Sequence, residues 1–208
     1  MVELCLKRLP AYLKTDEPTR AIQVLSPQRK GPCGVNQLNV LLQQALNPSS
    51  RQKRELQLGE RLFREGDKVM HIHNNYQLEW YGAGEGKGVF NGDMGVIDSV
   101  DPEEKELTVL FDDGRRADYD ATLTEELELA YCLSVHKSQG SEFTCVVMPC
   151  TGGPPMLLTR NLFYTALTRA RELVVLAGRE DCVAAMVNNN HIARRYTALA
   201  LRLTELPV

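Results

Sequence analysis

Two stretches of this chain alternate unbroken apolar strands with amphipathic helices, and an acidic stretch of a different rhythm lies between them. In the first, Ile22, Val24 and Leu25 mark a short buried strand, I-Q-V-L-S, closed by Pro27 and the loop Gly31-Pro32-Cys33-Gly34. Val35, Leu38, Leu41, Leu42 and Ala45 then recur at helical spacing until Asn47-Pro48 stops the run, and Leu4, Leu6, Leu9 and Leu13 mark a shorter helical stretch upstream. The last stretch repeats the scheme. It predicts a strand near 129–135, a helix-initiating loop at 136–142, a strand at 145–148, a break at Gly152-Gly153-Pro154-Pro155, a helix over 159–170, a strand at 173–176 and helices over 180–187 and 191–203. Strands apolar on both faces, alternating with helices, call for a parallel sheet covered on both sides.

The middle reads otherwise. D-K-V-M-H-I, G-V-I-D-S-V and L-T-V-L-F-D are short β segments separated by Asn91-Gly92-Asp93, Asp101-Pro102 and Asp113-Gly114, which predicts a small antiparallel barrel or sheet. Charge changes at the same places: residues 1–54 carry 9 basic against 3 acidic side chains, residues 55–128 carry 7 against 19, and residues 129–208 carry 8 against 5. The expected organisation is one α/β domain from 1–55 and 129–208, interrupted by a β insert at 56–128.

No apolar run reaches the roughly 20 residues of a membrane span, so no membrane partner and a cytoplasmic location are expected. The cysteines at 5, 33, 132, 145, 150 and 182 include no C-x-x-C pair and read as reduced, mostly buried thiols, with no metal site. His71 and His73 lack a third ligand type nearby. The run Y-G-A-G-E-G-K-G at 81–88 is no P-loop, because too few residues separate Gly82 from Gly86-Lys87 and Gly88 stands where a hydroxyl must bind magnesium; a mobile loop tip is expected there. Trp80, Tyr76 and Tyr81 fit a barrel core better than a base-stacking surface, and any phosphate contact of the acidic insert is expected through Lys68, Arg115 and Arg116.

Two segments carry chemistry. Leu133-Ser134-Val135-His136-Lys137-Ser138-Gln139-Gly140-Ser141-Glu142-Phe143 puts a hydroxyl, an imidazole, an amine, an amide and a carboxylate after a buried strand, where open α/β sheets bind ligands. Asn161 to Arg171, N-L-F-Y-T-A-L-T-R-A-R, reads as a helix ending in an arginine pair; helical geometry would turn Arg169 and Arg171 about 200° apart, so that one at most faces a given cleft.

In this order the segments resemble motifs V and VI of superfamily 1 DNA helicases of the UvrD-like and RecD-like branches, and V-L-S-P-Q-R-K-G-P-C-G-V-N-Q-L-N at 24–39 is similar to the RecD form of motif IV. The middle, G-D-K-V-M-H-I-H-N-N-Y with V-F-N-G-D-M-G-V-I, looks like the SH3-like insert of RecD-type helicases, with extra residues between Glu79 and Val89. The resemblance implies a RecA-like (P-loop NTPase-type) second motor domain carrying an SH3-like barrel, the C-terminal part of an ATP-dependent DNA helicase of the exodeoxyribonuclease V alpha subunit family. It implies recombination or repair work and a 5′-to-3′ direction. It further implies that ATP and Mg²⁺ are bound mainly by a first motor domain of the same protein, which this chain lacks, so that the chain alone does not turn over ATP. Arg169 matches the arginine that reaches the γ-phosphate, with Arg29 of motif IV as a second phosphate contact. Gly140 and Glu142 match positions on the nucleotide's ribose side, with Gln139 between the two sites. Ser134 and His136, with Lys137 beside them, fall where the family meets single-stranded DNA. Implied partners are single-stranded DNA or duplex ends, the first motor domain and, in some assemblies, further subunits of a helicase–nuclease complex. A motor-less nucleic-acid-binding or protein-interaction module of the same fold is the alternative.

Overall fold

The computed structural model describes residues 1–190 together with Arg202 and Thr204, so the helix expected over 191–203 lies outside the described residues apart from Arg202. A π-helical turn at Leu4–Arg8 runs into α1 (Leu9–Leu13); α2 (Pro18–Ala21) leads directly into β1 (Ile22–Ser26), and α3 (Val35–Leu46) follows. The middle holds β2 (Glu55–Leu58), β3 (Arg61–Arg64), β4 (Lys68–His71), β5 (Asn75–Tyr81), β6 (Glu85–Val89), β7 (Met94–Asp101), β8 (Glu106–Phe111), β9 (Arg116–Tyr119) and β10 (Leu127–Leu129). The chain ends with β11 (Cys132–Ser134), β12 (Phe143–Cys150), α4 (Arg160–Leu167), β13 (Ala170–Gly178) and α5 (Glu180–Asn188).

Strands β11, β1, β12 and β13 form, in that order, an all-parallel sheet. Side chains alternate across a strand, and the sheet uses both faces. Val146 and Met148 of β12, with Leu25 and Leu133, pack against Leu162, Phe163 and Ala166 of α4 and Cys182 and Met186 of α5. Cys145 and Val147, with Ile22, Val24 and Cys132, pack against Val35, Leu38 and Leu42 of α3 and against Cys5 and Leu9. That two-sided burial is why β1, β11 and β12 read as continuous apolar runs, whereas β13, at the sheet's edge, has no buried side chain and leaves Leu176 38% exposed, so the cover expected over 173–176 is incomplete. The six cysteines are all free, five of them buried, and burial raises the thiol pKa of Cys5, Cys145 and Cys150 to about 11.

The acidic stretch closes into a seven-stranded antiparallel sheet of order β10-β4-β7-β8-β9-β5-β6, with the β2–β3 hairpin beside it. Val69, Ile97, Val109, Phe111 and Tyr119 fill its interior, and Leu56 and Phe63 join the hairpin to that core. No helix among the described residues is long and apolar enough to cross a membrane.

A buried carboxylate ties the two sheets together. Asp67 is fully buried just ahead of β4 and accepts hydrogen bonds from Gln43 Nε2 (2.5 Å), Asn47 Nδ2 (2.7 Å), the Tyr131 hydroxyl (2.9 Å) and the Arg64 amide (2.7 Å). Burial pushes its pKa above the ordinary carboxylate value, although the four donors pull it back.

Several expectations need correction. Segment 136–142 starts no helix; successive turns carry it straight into β12. Helix α4 ends at Leu167, so Arg169 lies in the turn before β13 and Arg171 on the strand itself, and helical geometry does not relate them. The glycine-rich run is mostly β-hairpin, since Glu85–Val89 is β6, and Gly86 lies under the Trp80 ring, where a Cβ would come within 2.6 Å of Cζ2. Tyr76 and Tyr81 are exposed rather than in the barrel core.

Replacing Asp67 by alanine strands three side-chain donors and one backbone donor in the interior. We expect Asp67→Ala to lower the unfolding free energy by about 3 kcal/mol, and Asp67→Asn, which keeps one acceptor oxygen, by less, read from urea denaturation midpoints.

Candidate functional site

The connection from β11 to β12 arranges the site. Ser134 pairs with Ser26 at the C-terminal end of β1, whereas Val24 pairs with Val147 of β12. Phe143, where β12 begins, therefore lies about six residues, or about 20 Å, further down the sheet. Residues 135–142 span this drop. Val135 donates its amide to Ser26, and the fully buried Ser138 returns its hydroxyl to the Val135 carbonyl (2.8 Å). Ser141 donates its amide to Ser138, and Gly140 takes a φ of 91°, which a side chain resists. Ser134, His136 and Lys137 thus stand at one edge of the sheet, Glu142 at the other, and Gln139 and Gly140 between them.

Arg169 belongs to the lower edge. Its carbonyl accepts from the Phe143 amide (2.8 Å), Nη1 donates to the Ser141 carbonyl (3.2 Å) and Nη2 makes a long contact with Thr168 Oγ1 (3.4 Å). Nε is buried without a partner, and among the described residues no carboxylate pairs with this guanidinium. Arg171 differs: it is exposed and its Nε meets Glu142 Oε2 at 3.1 Å. Of the two arginines, Arg169 keeps donor capacity free, held in place by main-chain acceptors.

The upper edge gathers a different set. Glu128 accepts from Arg29 Nη2 (2.9 Å) and from Lys137 Nζ (2.7 Å). Burial alone would raise the Glu128 pKa, but the hydrogen bonds and charges of Lys137 and Arg29 outweigh it and hold the carboxyl below its usual value. Arg29 therefore stands with Lys137, and no contact joins it to the Arg169 cluster. Its loop is fixed by Ser26 Oγ, which donates to the Cys33 carbonyl (2.7 Å) and accepts from the Gln28 amide (3.3 Å), and by Gly34, where a Cβ would fall 2.6 Å from the Lys30 carbonyl. Buried Asn39 clamps the strand beside it, exchanging hydrogen bonds with Cys132 and donating to Leu129. His136 and Gln139 line a cleft of about 200 Å³ with Met156, Asn161, Leu162 and Thr165. Glu128 carried no signal in sequence, because its contact with Arg29 lies far along the chain.

Among the described residues no cluster of His, Cys, Asp and Glu has metal-binding geometry. His71 is buried with Nδ1 3.0 Å from the Tyr119 hydroxyl, whereas His73 is exposed. The basic patch expected on the barrel is not available. Lys68 is buried, Arg115 is paired with Asp93 and Asp113, and Arg116 with Asp98.

Comparison with known proteins agrees with this architecture. Residues 38–111 match the model of the ATP-dependent RecD-like DNA helicase SH3 domain, and residues 129–177 that of the UvrD-like helicase C-terminal domain. The chain is 39% identical over 183 residues to an ATP-dependent RecD2 DNA helicase of Deinococcus radiodurans, covering 88% of this chain and 23% of that protein. It is 32% identical over 184 residues to the RecBCD enzyme subunit RecD of Mycolicibacterium smegmatis, covering 87% and 29%. It thus spans less than a third of the length of either relative. A Bacteroides Pif1 helicase, solved in complex with ADP-AlF3 and ssDNA, shares the fold with a TM-score of 0.53 at 15% identity over 98% of this chain and 48% of that one. The SH3 match, which runs from within α3 to the end of β8, the helicase C-terminal match from the end of β10 through β13, and the RecD relatives make this chain a member of the RecD-like superfamily 1 helicase family.

Proposed function

We propose that residues 1–55 and 129–208 form the second RecA-like motor domain of an ATP-dependent DNA helicase, with 56–128 as its SH3-like insert, and that Arg169 is its arginine finger. The observation that carries this reading is the guanidinium of Arg169, held by the Ser141 carbonyl with its Nε unpartnered and, among the described residues, no carboxylate paired with it. A cation so placed acts on charge that develops on a transferring phosphoryl group, and it needs no reorganisation at the moment of reaction. ATP and Mg²⁺ are held mainly by a P-loop domain, and this chain has no P-loop. Glu142 and Gly140 face the nucleotide's ribose side once Glu142 parts from Arg171, with Gln139 linking them to the upper edge. Arg29 supplies a second phosphate contact on leaving Glu128.

Ser134, His136 and Lys137 form the single-stranded DNA track, about 20 Å away along the same segment. A shift of residues 135–142 at the nucleotide end is then carried to the DNA end through one short stretch of chain. The relatives' printed functions support this reading: one is an ATP-dependent DNA helicase, others are subunits of the RecBCD enzyme, and a protein of the same fold has been solved with ADP-AlF3 and ssDNA. By the same kinship the full protein works in the cytoplasm, 5′ to 3′, on single strands and duplex ends in recombination or repair, alone or with nuclease subunits.

The chain by itself is expected to show no DNA-stimulated ATPase; turnover above background that Arg169→Ala abolishes would overturn the reading. In the full-length protein Arg169→Ala should lower kcat by about a thousandfold with DNA affinity nearly intact. Arg29→Ala should lower kcat less. His136→Ala should reduce DNA stimulation while sparing the basal rate, equally on all sequences, because backbone contacts carry no base readout. Basal and DNA-stimulated ATPase with DNA affinity at one fixed salt separate these outcomes, and identical defects in all three assays for Arg169→Ala and His136→Ala would refute the division of roles.

A further inference from the structure

Lys68 lies on β4 of the barrel, yet its ammonium is buried against the parallel sheet, with the residue only 7% exposed. Nζ donates to the Thr19 carbonyl (2.7 Å), just ahead of β1, and to Gln23 Oε1 (2.9 Å) on β1 itself. Gln23 in turn donates to the carbonyls of Ala130 and Tyr131, where the chain leaves the barrel. No carboxylate forms an ion pair with Lys68 among the described residues. The ammonium lies instead 5.7 Å from the centre of the Phe143 ring.

Phe143 connects that cation to the lower edge. Its amide holds the Arg169 carbonyl, and Ser141, two residues before it, holds the Arg169 side chain. Ser141, Glu142 and Phe143 form one wall of a cleft of about 500 Å³ whose other wall is the barrel's Asp93–Val96 and Phe111–Asp113. Phe143 is only 7% exposed and packs into the core of the parallel sheet, with Lys68 on the barrel side of its ring.

Resting on the reading of Arg169 given above, we propose that Lys68 is a positioning residue through which the barrel sets the orientation of Arg169, acting through the Phe143 ring and the backbone of residues 141–143. The barrel is then a regulator of phosphoryl transfer, and any force that tilts it against the sheet changes the rate.

The charge on Lys68 is part of the device. Burial lowers its pKa from 10.5 to about 8, with Asp112 opposing and Arg20 adding to the shift. Asp93, Asp113, Arg115 and Glu142 face the same cleft. As pH rises through about 8 the ammonium loses its proton. The neutral amine can still donate to Thr19 and Gln23, but the cation–π attraction to Phe143 is gone. The sign follows: hold on Arg169 is complete below this pH and lost above it.

The test is steady-state, DNA-stimulated ATPase of the full-length protein across pH 6.5 to 9.5, roughly the span that brackets the Lys68 titration. Lys68→Met should lower kcat by about tenfold with KM for ATP nearly unchanged, since only alignment at the transition state is lost. Lys68→Arg, which stays charged at every pH in the range, should keep kcat and lose the alkaline fall that the wild type shows near pH 8. Phe143→Leu, with Lys68 intact, should reproduce the kcat loss and also lack that fall, and it decides the matter if Lys68→Met does not fold. Wild-type kcat and pH profile in the folded Lys68→Met or in Phe143→Leu, beside an inactive Arg169→Ala, would overturn this inference alone. Normal turnover by Arg169→Ala would overturn the reading beneath it.

Discussion

The short link between β11 and β12 is the constraint on which the site depends. Two parallel strands usually need a crossover of a dozen or more residues, most often with a helix. Here β1 lies between the two strands and the link has only the residues from Val135 to Glu142. It succeeds because β11 is three residues long and the link need only descend one face. A helix would shorten its reach to about 1.5 Å per residue, too little for a drop of about 20 Å. The segment therefore runs as linked turns, fixed by buried Ser138 and by the positive φ of Gly140. The same economy of length places polar side chains of one segment at both edges of the sheet.

The second dependence is on the joint between barrel and sheet, which is made of polar groups inside an otherwise apolar interior. Asp67, Lys68, Gln23, Asn39 and Gln43 are all buried, and each reaches across a boundary in sequence to a partner at least about twenty residues away. Apolar contacts would tolerate sliding, whereas these hydrogen bonds have one geometry in which every donor is satisfied. The barrel is consequently set at a defined angle to the sheet. Such an arrangement transmits displacement, because moving either body breaks several bonds together.

How far the sequence could be read follows from the range of each interaction. The buried strands and α3 were legible because two-sided burial writes itself as apolar runs and helical spacing, and the hairpins of the barrel because Asn91-Gly92 and Asp113-Gly114 are turn chemistry. The two helicase-like segments were legible by resemblance, and the match at residues 129–177 spans both. The end of α4 was not: Thr168 and Arg169 are ordinary helix formers, and the helix stops because β13 must start opposite Phe143. The Gly86 position misled for a similar reason. Its lack of a side chain answers the Trp80 ring packed across the hairpin, not a need for mobility or for phosphate. Likewise Lys68, Arg115 and Arg116 read as a basic patch only because their partners, Gln23, Asp93, Asp113 and Asp98, are distant or adjacent in ways that local sequence does not reveal.

The fate of those three basic residues bears on how a nucleic acid would meet this chain. Affinity for a phosphate backbone comes largely from cations free to replace its counterions. Arg115, stacked 5.6 Å over Trp80 and 5.4 Å over Phe111 and paired with two aspartates, is a strut of the barrel; burial opposes its charge, but Asp93 and Asp113 hold its pKa above the usual arginine value. Arg116 is spent on Asp98. The barrel thus faces solvent with its acidic excess uncompensated, and it repels a strand over a range of about a Debye length, roughly 10 Å at about 0.1 M salt. On the proposed reading the strand is steered to the sheet's upper edge, where Lys137 and Arg29 share one carboxylate, Glu128, and so retain net positive charge. An acidic insert and a basic host then act together: one excludes the strand from the barrel's surface and the other receives it where residues 135–142 begin.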